Sequence, residues 1–415
     1  MATTTTNFSW PIPQSTDLVK DGATAIASLG SGIDTSMAEL KGGTTGQILS
    51  KSSNTDMDFT WTTPNPGDIT GVTAGTGLTG GGTSGDVTVN FDVANYGGGQ
   101  YSAGKNKIIN GDFGIWQRGT SISLTNSTAT YTADRWVIYS AFTAGTSSFS
   151  QQTFTPATAP VAGYEGTYFG RLTCGSTSTY AEIAQRVEDV RVFAGQTMTV
   201  SMWLKASTNT SVSINYEQNF GSGGSASVYG SGATWSVTTS WQRFTATFSV
   251  ASISGKTIGT NSYLRIYHSF TPASSQTLDT WGVQLEAGST ATPFQTATGT
   301  KQGELAACQR YYVRWGGDNV YERVALGIGA STTQAKFIVN QPVAMRVPPT
   351  AIDYSNISVY DTATITACSS VTINAAGKLT TEIQGTVASG LTAFRPYQIM
   401  TNGSTNYYLG LSAEL

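Results

Sequence analysis

Few side chains in this sequence are placed for covalent or acid–base chemistry. There is one histidine, His268, inside the strand-like run Tyr263-Leu-Arg-Ile-Tyr-His-Ser-Phe270. A Ser–His–Asp or Cys–His machine would have to be assembled around it. No Gly-x-Ser-x-Gly turn stands nearby, so it reads as a polar residue on a strand face. Cys174, Cys308 and Cys368 are far apart and odd in number, without Cys-x-x-Cys spacing. They fit buried free thiols better than a zinc site or a disulfide framework. Glycoside hydrolysis needs two carboxylates about 5 Å or about 6.5–9.5 Å apart across a cleft. Glu182, Glu188, Asp189 and Glu217 are available, but no spacing marks a pair, and the consecutive Glu188 and Asp189 would face opposite sides of a strand. We expect no catalytic residue, no cofactor and no metal site.

Reversible binding is better supplied. Sugar recognition needs aromatic faces to stack on C–H surfaces, with amide and hydroxyl groups to read the sugar hydroxyls. The Gly/Ser-rich stretch Asn219–Trp235 offers Tyr229 and Trp235 in what reads as a long loop, with Trp235 alternatively plugging the core rim. Trp315, Asp318 and Tyr321 form a comparable cluster in Trp315-Gly-Gly-Asp-Asn-Val-Tyr321, with the same alternative.

The elements that must position these residues are strands. The 415 residues include 47 Gly, and Thr and Ser are abundant, while only 11% are charged, against about 25% in an average domain. Thr and the aromatics favour strands, and Gly and Ser disfavour helix interiors. Lys and Arg number 22 against 25 Asp and Glu, net −3, which excludes the basic field of a nucleic-acid binder. The 39% hydrophobic content still supports a core. The start lacks a positive, then apolar, leader pattern, and no apolar run approaches the roughly 18 residues of a bilayer span. Neither routine export nor membrane insertion is expected.

Three regions follow. Residues 1–104 carry three Lys against nine Asp and Glu. After a proline-punctuated start, Ser15 or Thr16 could cap a helix running from Asp17 to about Leu40. Within it Val19, Ile26, Ile33 and Leu40 recur every seven residues, a seam for a short parallel coil or threefold bundle; Gly22, Gly30 and Gly32 leave broken helical turns as the alternative. The Gly/Thr-rich stretch from Ile69 to Asp92 contains Gly75-Thr-Gly77-Leu-Thr-Gly80. An alternating strand follows it rather than a helix, so the dinucleotide reading fails. Such a stretch needs partner chains to become ordered. Residues 105–297 hold many alternating strands, among them Lys107–Asn110, Met198–Lys205 and Trp281–Glu286, as in a jelly-roll sandwich. Residues 298–415 begin with a helix over Gln302–Tyr312 and resume as strands, read as a smaller second sandwich.

Asn106-Lys-Ile-Ile-Asn-Gly-Asp-Phe-Gly-Ile-Trp-Gln-Arg-Gly119 and Tyr131-Thr-Ala-Asp-Arg-Trp136 resemble the opening of jelly-roll domains in tailed-bacteriophage fibre and structural proteins. Trp281–Phe294 resembles the closing strand of that domain, and Cys308-Gln-Arg-Tyr-Tyr312 and Gly410–Leu415 resemble recurrent ends of such proteins. The stretch from Thr70 to Thr83 is similar to the Gly/Thr shafts of phage fibres. The resemblance implies an all-β, elongated homotrimeric fibre: a helical and Gly/Thr-rich shaft followed by two sandwiches. It also implies a virion location reached by lysis, an N-terminal region held by tail or other virion proteins, and host-surface polysaccharide as the outward partner. A head-fibre or baseplate accessory and a depolymerising tailspike are the alternatives. The jelly roll also looks like carbohydrate-binding modules. In such domains a calcium often ties the first strand to the last; Asp112 and Asp279 are the matching acids here, but two acids do not make a site of six to eight oxygens.

Overall fold

The computed structural model describes residues 3–64, 71–75, 77–91, 104–161 and 165–415. The chain is mostly β and divides into two compact units, Met1–Asn90 and Phe91–Leu415.

In the first unit β1 (Thr3–Thr4) pairs with β2 (Pro11–Ile12), and α1 (Val19–Met37) continues into a 3-10 turn at Ala38–Leu40. The expected cap is not used. Leu18 stands at the N-cap without a side-chain hydrogen bond, and Asp17 accepts from Gln14 N–H at 2.8 Å instead. Gly32 makes room for Trp10: a β-carbon there would lie 3.0 Å from the indole. That face of the helix is half-covered, whereas Val19, Ile26 and Ile33 are 95%, 63% and 40% exposed, and no residue of α1 is buried. Leu40 is half-buried in the 3-10 turn beyond them. A hairpin of β3 (Ile48–Lys51) and β4 (Phe59–Thr62) follows, then a three-stranded sheet of β5 (Val72–Thr73), β6 (Leu78–Gly82) and β7 (Val89–Phe91). The Gly/Thr-rich stretch thus pairs with itself locally, its strands largely exposed. Its first residues, Ile69 and Thr70, and also Thr76 and Asp92, lie outside the described residues.

The second unit opens with twelve strands: β8 (Ser121–Ser123), β9 (Thr130–Tyr131), β10 (Trp136–Phe142), β11 (Ser148–Thr153), β12 (Tyr168–Thr173), β13 (Ser178–Val187), β14 (Thr197–Ala206), β15 (Thr210–Asn219), β16 (Val228–Val237), β17 (Gln242–Ser249), β18 (Tyr263–Phe270) and β19 (Thr277–Ala287). They form two antiparallel six-stranded sheets, β16-β15-β18-β13-β10-β9 and β17-β14-β19-β12-β11-β8. Alternate residues, such as Leu264 and Ile266 from one sheet and Val200 and Met202 from the other, meet in one core. Phe113 stacks on Trp136 there, centroids 4.8 Å apart; each such buried ring contributes about 1.5–3 kcal/mol.

The run Lys107–Asn110 is a tie, not the strand its pattern suggests. Asn106 Nδ2 donates to Val283 O and Gln295 O, and its Oδ1 accepts from Ile108 and Leu285 N–H. Asn110, at φ 58°, closes the next turn through Ile115 and Asp134. The buried side-chain amides take over the backbone pairing that a ladder would supply.

The helix α2 (Lys301–Gln309) is capped by Thr300, whose Oγ1 accepts from Gly303 N–H at 3.0 Å. Its Glu304 accepts from the N–H groups of Asn110 and Thr298 and so fastens the helix to the sandwich. Nine strands follow: β20 (Tyr312–Trp315), β21 (Arg323–Gly329), β22 (Gln334–Asn340), β23 (Ala351–Ser355), β24 (Ile357–Tyr360), β25 (Ile365–Ala376), β26 (Thr380–Val387), β27 (Pro396–Thr401) and β28 (Tyr408–Ser412). The expected second sandwich is instead a closed six-stranded barrel, β21-β22-β26-β25-β24-β27, beside a three-stranded sheet β20-β28-β23. Register shifts at Cys368/Ser370 and Ile373/Ala375 mark bulges in the long β25, which bend it and let the sheet close on itself. The last residues return to the sandwich: Glu414 pairs with Arg118 and the fully buried Arg135. Burial presses the Arg135 guanidinium down, but Glu414 together with Tyr311, Tyr131 and Cys308 holds it above its ordinary value.

Candidate functional site

Register across β10, β13, β18, β15 and β16 builds one outward sheet face row by row. The first row runs Tyr139–Glu182–Ser269–Ser213–Thr234, the second Val137–Ala184–Tyr267–Asn215–Ser231. The third runs Arg186–Arg265–Glu217–Tyr229; Tyr180 lies beyond the first row on β13 and Tyr263 beyond the third on β18. Period-2 alternation puts these residues outward because Ile138, Ile183, Leu264, Ile266, Val212 and Ile214 point into the core.

Arg265 is the centre of this face. It pairs with Glu182, and its Nη1 lies 3.2 Å from Glu217 Oε2. Its guanidinium sits over the Tyr267 ring, 4.4 Å from the centroid. Burial lowers the Arg265 pKa and raises that of the Tyr267 phenol, which stays a neutral O–H donor. Tyr180 Oη donates to Glu182 Oε2 at 2.8 Å and packs edge-on against Tyr139, centroids 5.9 Å apart. Glu217 Oε1 also accepts from Ser227 Oγ at 2.9 Å and Asn219 Nδ2 at 3.0 Å. Four partly exposed tyrosines and the 64% exposed Tyr229 thus surround an acid–arginine–acid line and a set of Ser, Thr and Asn side chains. Rings for stacking beside fixed polar groups are the chemistry of sugar recognition.

The residues singled out from sequence do not share one place. Tyr229 lies on this face, on the edge strand β16 opposite Glu217. Trp235 does not: it is 7% exposed, in the sandwich core, stacked on Phe244 at 5.3 Å. The loop expected over 219–235 is half strand, because Gly230 and Gly232 let β16 press against Tyr216 and Phe248, where a β-carbon would come within 2.1 and 2.6 Å. Trp315 is half-buried against the barrel core, while Asp318 and the 42% exposed Tyr321 stand on the loop between β20 and β21. No spacing in the sequence marks Tyr139 or Tyr180, whereas Tyr263-Leu-Arg-Ile-Tyr267 alternates and so declares one face with two tyrosines and an arginine.

His268 points inward, its Nε2 3.1 Å from Thr280 Oγ1, and burial lowers its pKa to about 3. Burial pushes Cys174 and Cys368 up to about 12 and Cys308 well up. Glu188 and Asp189 follow β13 rather than lying in it, and bond Arg310 and Arg191 respectively. Glu182 and Glu217, unmarked by spacing, are brought together by Arg265. Asp279 is committed to Arg171 and Lys205 rather than to a cation shared with Asp112. A cleft of about 420 Å³ lies beside Asp112, Glu165 and Glu304. Among the described residues no cluster of three or more His, Cys, Asp or Glu could hold a metal ion.

No protein-family profile matches this chain, and no curated protein matches it significantly. Solved structures do match. The enzymatically active domain of bacteriophage CBA120 tailspike protein 4 is similar over 44% of this chain and 22% of its own, at 13% identity and TM-score 0.29. The N-terminal cellulose-binding domain of Cellulomonas fimi β-1,4-glucanase C matches over 38% of this chain and 90% of its own, at 18% identity and TM-score 0.26. A xylan-binding domain from Paenibacillus barcinonensis matches over 41% and 95%, at 16% identity and TM-score 0.26. This chain thus spans under a quarter of the tailspike structure's length.

Proposed function

We propose that this chain is a polysaccharide-binding fibre protein of a tailed-phage virion, which acts as a homotrimer to attach the particle to host-surface glycans. The observation that carries the binding reading is the tyrosine face, where Tyr139, Tyr180, Tyr229, Tyr263 and Tyr267 stand around Glu182, Arg265 and Glu217. Trimerisation is supported by the heptad residues Val19, Ile26 and Ile33, apolar side chains that are 95%, 63% and 40% exposed. In this reading residues 1–104 hold the protein to its virion partner, and three weak sites gain avidity by linkage. The test is retention of the full chain on purified envelope polysaccharide of a susceptible host, with reducing ends assayed in parallel. Retention without cleavage is expected. Release of reducing ends would favour a depolymerase using Glu182 and Glu217. Absence of retention on any host surface would leave a head-fibre or baseplate role.

A further inference from the structure

The opposite sheet presents a second outward face with the charge pattern inverted. On it Lys205, Asp279 and Arg171 stand in one row across β14, β19 and β12, and the row continues to Ser150 and Ser121. Asp279 is 1% exposed; Arg171 grips it through Nε at 2.6 Å and Nη2 at 2.8 Å, and Lys205 Nζ reaches it at 3.3 Å. Two cations therefore meet one carboxylate, whereas on the tyrosine face two carboxylates meet one arginine. The cations are 31% and 29% exposed. Among the described residues Arg171 gives two of its five N–H donors to Asp279 and Lys205 one of three, which leaves donors for other acceptors. At the end of the row the partly exposed Trp241 packs against Phe154 and Phe169, with Lys205 Nζ 5.3 Å from its ring centroid.

We propose that this row is a second saccharide site, specific for acidic sugars whose carboxylate meets Arg171 and Lys205 while the ring lies against Trp241. The surplus positive charge selects an anion, the Nη1 edge of Arg171 left by Asp279 meets a carboxylate, and Ser150 and Ser121 meet hydroxyls. The site does not depend on the tyrosine face.

The probe is polygalacturonate, cast into native gels beside gels containing dextran or polyglutamate, with the full chain as analyte. Polygalacturonate is expected to retard the wild type, less so as salt rises, while dextran and polyglutamate do not retard it through this row. Lys205→Gln and Trp241→Ala should each weaken binding about tenfold or more, and Lys336→Gln, which removes a surface cation from the barrel, should leave it unchanged. Urea midpoints of the variants establish that they fold; Arg171→Lys, which keeps charge on Asp279 but loses the fork, gives a second measure. Equal retardation by polyglutamate, wild-type retention in both Lys205→Gln and Trp241→Ala, or an equal loss in Lys336→Gln would overturn the assignment.

Discussion

Trp235 and Tyr229 are six residues apart on one strand and do opposite work. Trp235 fills the core and Tyr229 stands in solvent. Truncating a buried tryptophan costs about 3–5 kcal/mol, and changing a surface residue usually stays within about 0.5 kcal/mol. Trp235→Ala should therefore lower the urea midpoint sharply and Tyr229→Ala should not, while only Tyr229→Ala should weaken glycan retention in a chain that remains folded. His268 makes a second prediction at this scale. Its folded pKa, about 3, lies below the roughly 6.5 of an unfolded histidine. Between those values the unfolded chain binds a proton that the folded chain does not, so stability falls as pH drops from about 6.5 toward 3. Urea midpoints measured through that window should show the slope, and His268→Gln should remove its one-proton share.

At the scale of elements, Gly230 is the point where sequence and structure part. A Gly/Ser-rich stretch reads as loop, yet its glycines are what let β16 lie against the Tyr216 and Phe248 rings. Gly230→Val should destabilise by about 1–3 kcal/mol through overpacking and displace Tyr229 from its place opposite Glu217, lowering both the melting temperature and glycan retention. The strands of the sandwich were legible because their alternation is strong, as in Tyr263–Phe270 and Trp241–Phe248. The tie at Lys107–Asn110 was not, because buried asparagine side chains replaced the ladder that its apolar pair suggested. Barrel closure was illegible because it depends on bulges in β25, and bulges leave no period in the sequence. The tyrosine face was half-legible: alternation assigns Tyr263, Arg265 and Tyr267 to one side, but that Tyr139 and Tyr180 join them follows from strand order, which pairs β18 with β13 and β13 with β10.

For the whole molecule, the two faces of the sandwich and the α1 seam carry the account. Most helical stability in proteins comes from packing an amphipathic face, and α1 has no buried side chain, so its apolar seam calls for cover. Sedimentation should find a trimer, and Ile26→Asp should shift it toward monomer and weaken retention on polysaccharide far more than it weakens binding of a short oligosaccharide, because avidity is lost and the site is not. A wild-type monomer would remove the trimeric part of the proposal. The most direct test of the central claim is calorimetric titration of oligosaccharides from the retained host polysaccharide into the wild type, Tyr180→Ala and Tyr267→Ala. Saturable binding is expected, which each substitution weakens about tenfold with the melting temperature preserved. Binding unchanged in both variants, or absent from the folded wild type, would contradict it.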